Sequence, residues 1–196
     1  IATAKEGEHF DVKAAEKGVL FFELFLTHVK GEFAGTSFLL EPWQQAITGC
    51  IYGWKREDGT RRYREAYILV PRKNGKSTYA AGFALGGLTI DDEQGAEVYS
   101  LAADRKQAAL VFDQAKVMAL KDEELSKHLT CFKYSIANPS TNSVYVPLSA
   151  EASTKHGLNV SLAIVDELHA QPNAELVEVI QTGTGSRKQP LIIYIT

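Results

Sequence analysis

Hydrophobic positions follow two alternating patterns along the chain, and this alternation predicts an α/β fold. Short apolar runs bounded by polar or turn residues predict strands at 65–70, 97–102, 162–165 and 191–195. Apolar residues at helical spacing predict helices at 42–54, 76–88, 105–120 and 174–181. Strands that alternate with helices favour a mainly parallel sheet sandwiched between helices.

Two other segments depart from this alternation. Residues 1–41 are predicted to be an N-terminal helical lead-in, with Phe21, Phe22 and Phe25 close together, and the main domain is predicted to span 42–196. Strands at 131–136 and 143–148 are predicted to form a hairpin around the turn cluster 137–142.

Composition and charge narrow the class of protein. The 196 residues suit one domain, and 45% hydrophobic content with a net charge of −3 excludes general disorder and a strongly basic nucleic-acid binder. Cys50 and Cys131 lie too far apart for a CxxC metal or redox motif, and no apolar run approaches the ~20 residues of a membrane span. We therefore expect an intracellular protein without membrane segments, and the start at Ile1 suggests a fragment.

Residues 68–78 have the strand–loop–helix pattern of a phosphate-binding loop. An apolar strand is followed by a short loop and by Gly75-Lys76-Ser77 at the start of a predicted helix. Backbone N–H groups at such a helix start bind phosphate, Lys76 would contact the β- and γ-phosphates, and Ser77 would ligate Mg²⁺. The regular pattern has glycine where this chain has Val70, so a surface loop with a helix-capping serine stays open as an alternative.

A second segment favours the nucleotide-binding interpretation. Residues 162–167 form an apolar run that ends in Asp166 and Glu167. In a P-loop enzyme the first acid holds Mg²⁺ and the second orients and deprotonates the attacking water. Each segment alone could have a purely structural role. For Asp166 and Glu167, that role would be to cap the following helix. Together and in this order they predict hydrolysis of a nucleoside triphosphate.

Four segments together resemble the ATPase domain of a large terminase subunit, in the branch related to the HK97-type phages. They are Glu-Pro-Trp-Gln at 41–44, Val-Pro-Arg-Lys-Asn-Gly-Lys-Ser at 70–77, Ala-Ala-Asp-Arg-Lys-Gln-Ala at 102–108 and Val-Asp-Glu-Leu-His-Ala at 165–170. The resemblance covers about residues 38–196. It implies an α/β P-loop NTPase of the additional-strand, catalytic-glutamate (ASCE) type that uses ATP and Mg²⁺. The P-loops of that family commonly lack the first glycine and carry an arginine, as this chain does.

The resemblance also implies roles for individual residues. Gln44 resembles a glutamine that recognises adenine, with Trp43 near the base, although a core position for Trp43 stays open. Arg72 resembles an arginine that contacts the γ-phosphate, and Thr196 resembles the start of a coupling motif. The predicted catalytic residues are Glu167, Arg72 and Lys76. The remaining predicted nucleotide contacts are Lys73, Asn74, Gly75, Ser77 and Thr78, with Ser77 and Asp166 as the metal ligands.

Two arginines are weaker candidates for contact with DNA or a neighbouring subunit. Arg105 follows a predicted strand end, where translocases contact the nucleic-acid backbone, but a solvated helix start is the alternative. Arg187 lies in a glycine-rich basic loop. The alternative is that it is a basic loop residue with no functional role. No arginine accompanies Lys155-His156-Gly157, so the sequence identifies no trans-acting arginine. His169 gives the acidic motif a DExH form, which more often reflects packing.

The resemblance further implies partners and a setting. These are double-stranded DNA, the small terminase subunit, the portal protein and a homo-oligomeric ring on the procapsid, with no membrane, in the host bacterial cytoplasm. It also implies a C-terminal nuclease domain that is absent from this chain. A superfamily 2 helicase-like ATPase is the alternative enzyme. A P-loop scaffold that binds nucleotide without turnover is the alternative outside enzymes, and Glu167 argues against it.

Overall fold

A computed structural model describes residues 4–102, 105–149, 157–168 and 174–196. The helices are α1 (Val12–Phe25), α2 (Pro42–Gly53), α3 (Lys76–Thr89), α4 (Arg105–Lys121), α5 (Glu123–His128) and α6 (Glu175–Gly183). The strands are β1 (His9–Phe10), β2 (Trp54–Lys55), β3 (Glu65–Ile68), β4 (Glu97–Ala102), β5 (Thr130–Cys131), β6 (Ile136–Asn138), β7 (Ser143–Ser149), β8 (Val160–Asp166) and β9 (Leu191–Ile195). The predicted alternation of strands and helices is confirmed.

One mixed sheet organises the molecule, and among the described residues it has seven strands in the order β3-β9-β8-β4-β7-β6-β5. Neighbours from β3 to β7 are parallel, whereas β6 and β5 extend the far edge antiparallel. Strand β9 lies between β3, which leads into the predicted phosphate loop, and β8, which ends in the predicted acids. Strand β9 therefore corresponds to the additional strand of the predicted ASCE class.

The sheet is buried on both faces. Along β9, Leu191, Ile193 and Ile195 join the core beneath α3 and α4, whereas Ile192 and Tyr194 join the core beneath α6. All five are buried, which explains why this strand is a continuous apolar run rather than an alternating one. The predicted sandwich of helices around a mainly parallel sheet is confirmed.

The N-terminal helix packs directly on the helix that follows the phosphate loop. The ring of Phe22 in α1 lies 5.4 Å from that of Tyr79 and 5.3 Å from that of Phe83, both in α3. A Cβ on Gly82 would lie 2.2 Å from the Phe22 ring, so α1 approaches α3 too closely for any side chain there. The predicted division between residues 41 and 42 stays a prediction, and both sides of it share this core.

The predicted strand at 131–136 is wrong. The chain forms two short antiparallel strands there, β5 and β6, joined by a turn in which the Phe132 N–H donates to the Ser135 carbonyl at 2.8 Å. Strand β6 then continues to Asn138, so the hairpin turn begins two residues later than predicted. Asn138 sets this limit because its buried amide donates to the Leu88 carbonyl at 2.7 Å while its oxygen accepts from the Ser140 N–H at 3.1 Å.

Other boundaries differ by one or two residues. Strand β3 ends two residues before the predicted limit at Val70, and β8 starts two residues earlier and ends one residue later than predicted. Within the described ranges, no helix is both long enough and apolar enough to cross a membrane.

Candidate active site

Residues 69–75 join β3 to α3 and form the predicted phosphate loop at the carboxyl edge of the sheet. Gly75 caps α3 in the left-handed conformation, with φ 71° and ψ 19°. A Cβ there would meet nothing within 4 Å, so the backbone conformation rather than crowding favours glycine. The first N–H groups of α3 have no partner in a preceding turn, and the helix dipole adds positive potential there. The loop therefore has the features of an anion site.

The Asn74 side chain stabilises the loop from within. Its amide donates to the carbonyl oxygens of Pro71 at 3.1 Å and Arg72 at 3.4 Å. The Arg72 and Lys73 side chains are exposed, and Lys73 has a positive φ of 70°. Asn74 thus holds the shape of the loop, which carries two exposed cations.

The predicted acids lie at the same edge of the sheet, at the end of β8. Asp166 is in register with Ile195 of β9, and the Glu167 N–H donates to the Ile195 carbonyl at 2.9 Å. Glu167 adopts a φ of 50°, which is uncommon for a residue with a side chain. Such conformations cost about 1–3 kcal/mol and cluster at functional sites. Here the turn directs the Glu167 side chain towards the phosphate loop.

Lys76, Glu167 and Thr196 form a connected series. Lys76 Nζ lies 2.8 Å from Glu167 Oε1, and Thr196 Oγ1 donates to Glu167 Oε2 at 3.1 Å. The Lys76 and Glu167 side chains are 13% and 30% exposed, so the pair is partly shielded yet accessible from the edge. The structure therefore brings together three predicted site residues from α3, the end of β8 and the end of β9.

Asp166 lies in an environment that disfavours its negative charge. Burial is the main cause of a raised pKa for this carboxyl, and the charge of Glu167 adds to the increase, whereas Lys76 opposes it. A cation beside Asp166 would offset both effects. Carboxylate and hydroxyl oxygens are ligands that Mg²⁺ accepts, so Asp166 and Ser77 fit the predicted metal.

Within the described ranges, no group of three or more His, Cys, Asp or Glu side chains could hold a metal ion. A metal at Asp166 and Ser77 would therefore take further ligands from a bound phosphate and water, as Mg²⁺ does in nucleotide sites.

A buried hydrogen-bond network connects α2 to α3. The Tyr79 hydroxyl donates to the Gln44 carbonyl at 3.1 Å and lies 2.7 Å from Thr48 Oγ1. Burial raises the pKa of Tyr79 well above its ordinary range, so the hydroxyl stays protonated. Trp43 packs edge-on against the same ring, with centroids 5.9 Å apart. Helix α2 is thereby fixed beside the phosphate-loop helix.

A cavity of about 520 Å³ lies between α2 and the phosphate loop. Trp43, Gln44, Asn74 and Gly75 are among its lining residues. Trp43 is partly exposed rather than buried in the core, and the Gln44 side-chain oxygen accepts from the Glu41 N–H at 2.9 Å. The two predicted base-contacting residues therefore adjoin the loop predicted to bind phosphates.

One partner of the phosphate-loop helix was not predicted from the sequence. Thr78 Oγ1 donates to Gln114 Oε1 of α4 at 2.7 Å, so this hydroxyl bonds to protein rather than lying open to a ligand. Gln114 is a buried polar residue between the buried Val111 and Met118, one helical turn away on either side. A polar residue inside that apolar stripe was the available signal.

The two weaker arginine candidates are placed differently. Arg105 begins α4 at the same edge as the phosphate loop. Arg187 lies at the opposite edge, where its guanidinium bonds to the carbonyl oxygens of Gln94 and Gly95 and its Nη1 lies 3.3 Å from Glu93 Oε2. These intrachain contacts favour a structural role for Arg187. His169, Lys155 and His156 lie outside the described residues.

The strand order, the glycine-capped loop and the Lys76–Glu167 contact define an α/β P-loop NTPase. The family model described as "Terminase large subunit, ATPase domain" matches residues 42–196. The chain belongs to this family of terminase large subunits. The match supports the terminase prediction over the helicase-like alternative.

Relatives and solved structures agree with this assignment. The chain is 31% identical over 186 residues to the large terminase subunit of Enterobacteria phage HK97, covering 92% of this chain and 36% of the relative. The crystal structure of the HK97 large terminase superposes with a TM-score of 0.79 at 30% identity, covering 93% of this chain and 37% of the other. The Thermus phage P74-26 large terminase ATPase domain has a TM-score of 0.59 at 18% identity, covers 81% of this chain and 65% of that one, and supports the fold alone. The chain thus spans just over a third of the length of the HK97 protein.

Proposed function

We propose that this chain is the ATP-hydrolysing motor part of a terminase large subunit, which couples Mg-ATP hydrolysis to translocation of double-stranded DNA into a procapsid. The observation that carries the proposal is the series Lys76–Glu167–Thr196, which joins the phosphate loop, the acid strand and the end of β9. Membership of the terminase ATPase-domain family supports the motor role.

Nucleotide binding is assigned to the phosphate loop and its neighbours. The first amides of α3 hold phosphate oxygens, and Lys76 exchanges its contact with Glu167 for one with the β- and γ-phosphates. The exposed Arg72 supplies a fork of donors to the γ-phosphate. Trp43 and Gln44 contact the base from the cavity beside the loop.

Hydrolysis is assigned to Glu167 as the general base. Its carboxylate, released by Lys76 when phosphates bind, accepts a proton from the attacking water. The hydroxyl of Thr196 fixes the orientation of that carboxylate. Mg²⁺ held by Ser77 and Asp166 would supply charge neutralisation for the phosphates.

Coupling to movement is assigned to the end of β9. Thr196 contacts Glu167 through its side chain, and its backbone bonds to both ends of the segment that enters the phosphate loop. The Val70 N–H donates to the Thr196 carbonyl at 2.8 Å, and the Thr196 N–H donates to the Ile68 carbonyl at 3.0 Å. A change at Glu167 therefore reaches Thr196 and the segment that enters the phosphate loop directly.

DNA contact is assigned to a local basic face, because the net charge of −3 does not favour a broad basic surface. Arg105 begins α4 at the edge of the sheet that carries the site, so a contact there would lie near the nucleotide. Arg187 stays a weaker candidate, since its guanidinium is held by Glu93 and nearby carbonyl groups.

The remaining parts of the proposal concern the longer protein. The family resemblance implies a nuclease domain, and since this chain spans 36% of its HK97 relative, we propose that this domain lies in the remainder of the longer protein. We also propose the small terminase subunit, the portal protein and sister subunits in a ring as partners, in the host bacterial cytoplasm.

Steady-state phosphate release from ATP, measured with Mg²⁺ or with EDTA and with or without double-stranded DNA, tests the proposal. We expect Mg²⁺-dependent hydrolysis by the full-length protein, with a higher rate when DNA is present. Absence of ATP binding would overturn the enzymatic assignment. Hydrolysis that DNA leaves unchanged, in a protein that also fails to move DNA, would overturn the motor assignment.

A further inference from the structure

Residues 27–39 form a hairpin-like segment, called here the N-terminal loop. Thr27 and Ser37 form an antiparallel bridge, the His28 N–H donates to the Thr36 carbonyl at 2.9 Å, and the Gly35 N–H donates to the His28 carbonyl at 2.8 Å. Phe38 anchors the loop, because it is buried and its ring lies 6.1 Å from that of Phe22. The loop is therefore a folded part of the core assembly although it precedes the span that matches the family model.

The N-terminal loop lies across the cavity from the phosphate loop. Asn74 and Gly75 line one side of the 520 Å³ space, and Trp43 and Gln44 line it from α2. The N-terminal loop contributes His28, Phe33, Thr36, Ser37, Phe38 and Leu39. A volume in this range is typical of small-molecule sites. The cavity thus continues directly from the predicted phosphate site to the N-terminal loop.

The chemistry of the cavity changes from one end to the other. Phe33 is 62% exposed and Leu39 is 66% exposed, so two large apolar side chains of the loop remain open to solvent beside the cavity. The His28 ring packs edge-on against Phe38, with centroids 4.9 Å apart, and lies 5.9 Å from the Phe33 ring. Aromatic and apolar walls suit a flat heteroaromatic ring, whereas the amides at Gly75 suit phosphate. A nucleotide combines these two chemistries in one molecule.

We propose that the N-terminal loop forms the outer wall of the nucleobase pocket, with Phe33 packing against the base of a nucleoside triphosphate. The inference rests on the proposed function, because it requires the phosphates to occupy the loop at Gly75. It assigns part of the nucleotide affinity to residues outside the family-matched span 42–196.

Calorimetric titration with Mg-ATP and with Mg-tripolyphosphate, which has phosphates but no base, separates the two ends of the cavity. We expect Phe33→Ala to weaken ATP binding by about tenfold, since base–aromatic stacking contributes about that much per base, and to leave tripolyphosphate binding unchanged. Phe132→Ala is the matched control, because Phe132 is 54% exposed in the turn between β5 and β6. It should bind both ligands as the wild type does.

The outcomes distinguish this inference from the proposed function. If Phe33→Ala binds ATP as tightly as the wild type, or loses as much affinity for tripolyphosphate as for ATP, the N-terminal loop does not contact the base. The assignment of the phosphate loop would then still stand. If the wild type binds neither ligand, both are wrong. Because Phe33 is exposed, an unchanged thermal midpoint will show that the variant is folded.

Discussion

Lys76 Nζ and Glu167 Oε1 lie 2.8 Å apart, so the lysine that begins α3 pairs with the acid that follows β8. The two residues are 91 positions apart in sequence and meet because β3 and β8 flank β9 in the sheet. While Lys76 is paired with Glu167, its ammonium group cannot make its full set of contacts with a phosphate. Under the proposed function, nucleotide binding at Lys76 would therefore be coupled to the release of Glu167.

Removing the cation should disable both binding and turnover. We expect Lys76→Met to lower kcat/KM for ATP by about 100-fold or more, because one lost electrostatic contact to developing phosphate charge costs about that much. Phosphate release at varied ATP concentration measures this effect. Lys17→Met is the control, since it removes the exposed pair of Lys17 with Asp92 and should leave kcat/KM unchanged. Equal losses in the two variants would contradict a specific role for Lys76.

The Thr196 hydroxyl should matter for turnover and not for binding. Thr196→Val removes the bond to Glu167 Oε2 with little change of shape, and we expect kcat to fall about tenfold, the value of a hydrogen bond to a charged group. The calorimetric Kd for ATP should stay at the wild-type value. Thr182→Val, which removes a hydroxyl bonded to carbonyls within α6, should change neither quantity. Weaker ATP binding by Thr196→Val would argue for a contact with the nucleotide instead.

Asp166 should reduce stability at neutral pH in the absence of ligand. Burial and the charge of Glu167 raise its pKa, so the folded state binds this proton more tightly than the unfolded state does. The contribution of Asp166 to the free energy of unfolding is therefore greatest at low pH. It is lost as pH rises from the ordinary aspartate pKa through the raised pKa of the folded state.

Thermal unfolding measured across a range of pH tests the direction of this pH dependence. We expect Asp166→Asn to raise the midpoint at pH 7, with a gain that shrinks towards acidic pH, and to lose Mg²⁺-dependent turnover. Asp58→Asn is the control, because hydrogen bonds from Thr60 lower the pKa of Asp58, so its midpoint should not rise at pH 7. A lower midpoint for Asp166→Asn at pH 7 would contradict the electrostatic account.

The strand, loop and helix around Gly75 and the strand that ends in acids could be predicted from the sequence, because each depends on local pattern. Gly75-Lys76-Ser77 follows an apolar strand, and Asp166 ends another. Parallel strands then bring their carboxyl ends to one edge, so the meeting of loop and acids follows from the predicted class. The alternation of strands and helices identified that class.

Contacts set by tertiary packing could not be predicted in the same way. The bond between Thr78 and Gln114 depends on how α3 packs against α4, and the bonds of Arg187 depend on three loops that meet at the far edge of the sheet. The hairpin limit depended on the burial of Asn138 against Leu88. In each case the deciding partner is far away in sequence.

The link between α3 and α4 should show as an energetic coupling. Gln114 is buried, so Gln114→Leu leaves the Thr78 hydroxyl without its acceptor and should lower the free energy of unfolding by about 1–2 kcal/mol. Thr78→Val should also destabilise the protein, while the double variant should lose less than the sum, with a coupling of about 0.5–3 kcal/mol. Urea unfolding of the four proteins measures the cycle. Additive losses would show that the two side chains act independently.

Paired measurements on Glu167→Gln test the central claim most directly, because this change keeps the size of the side chain while removing its charge and its capacity to act as a base. We expect ATP turnover to fall by about 100-fold or more, since a general base contributes at least that much. ATP should still bind, and more tightly than to the wild type, because Lys76 no longer has to leave a carboxylate. Hydrolysis at the wild-type rate, or loss of ATP binding, would contradict the roles assigned to Lys76 and Glu167.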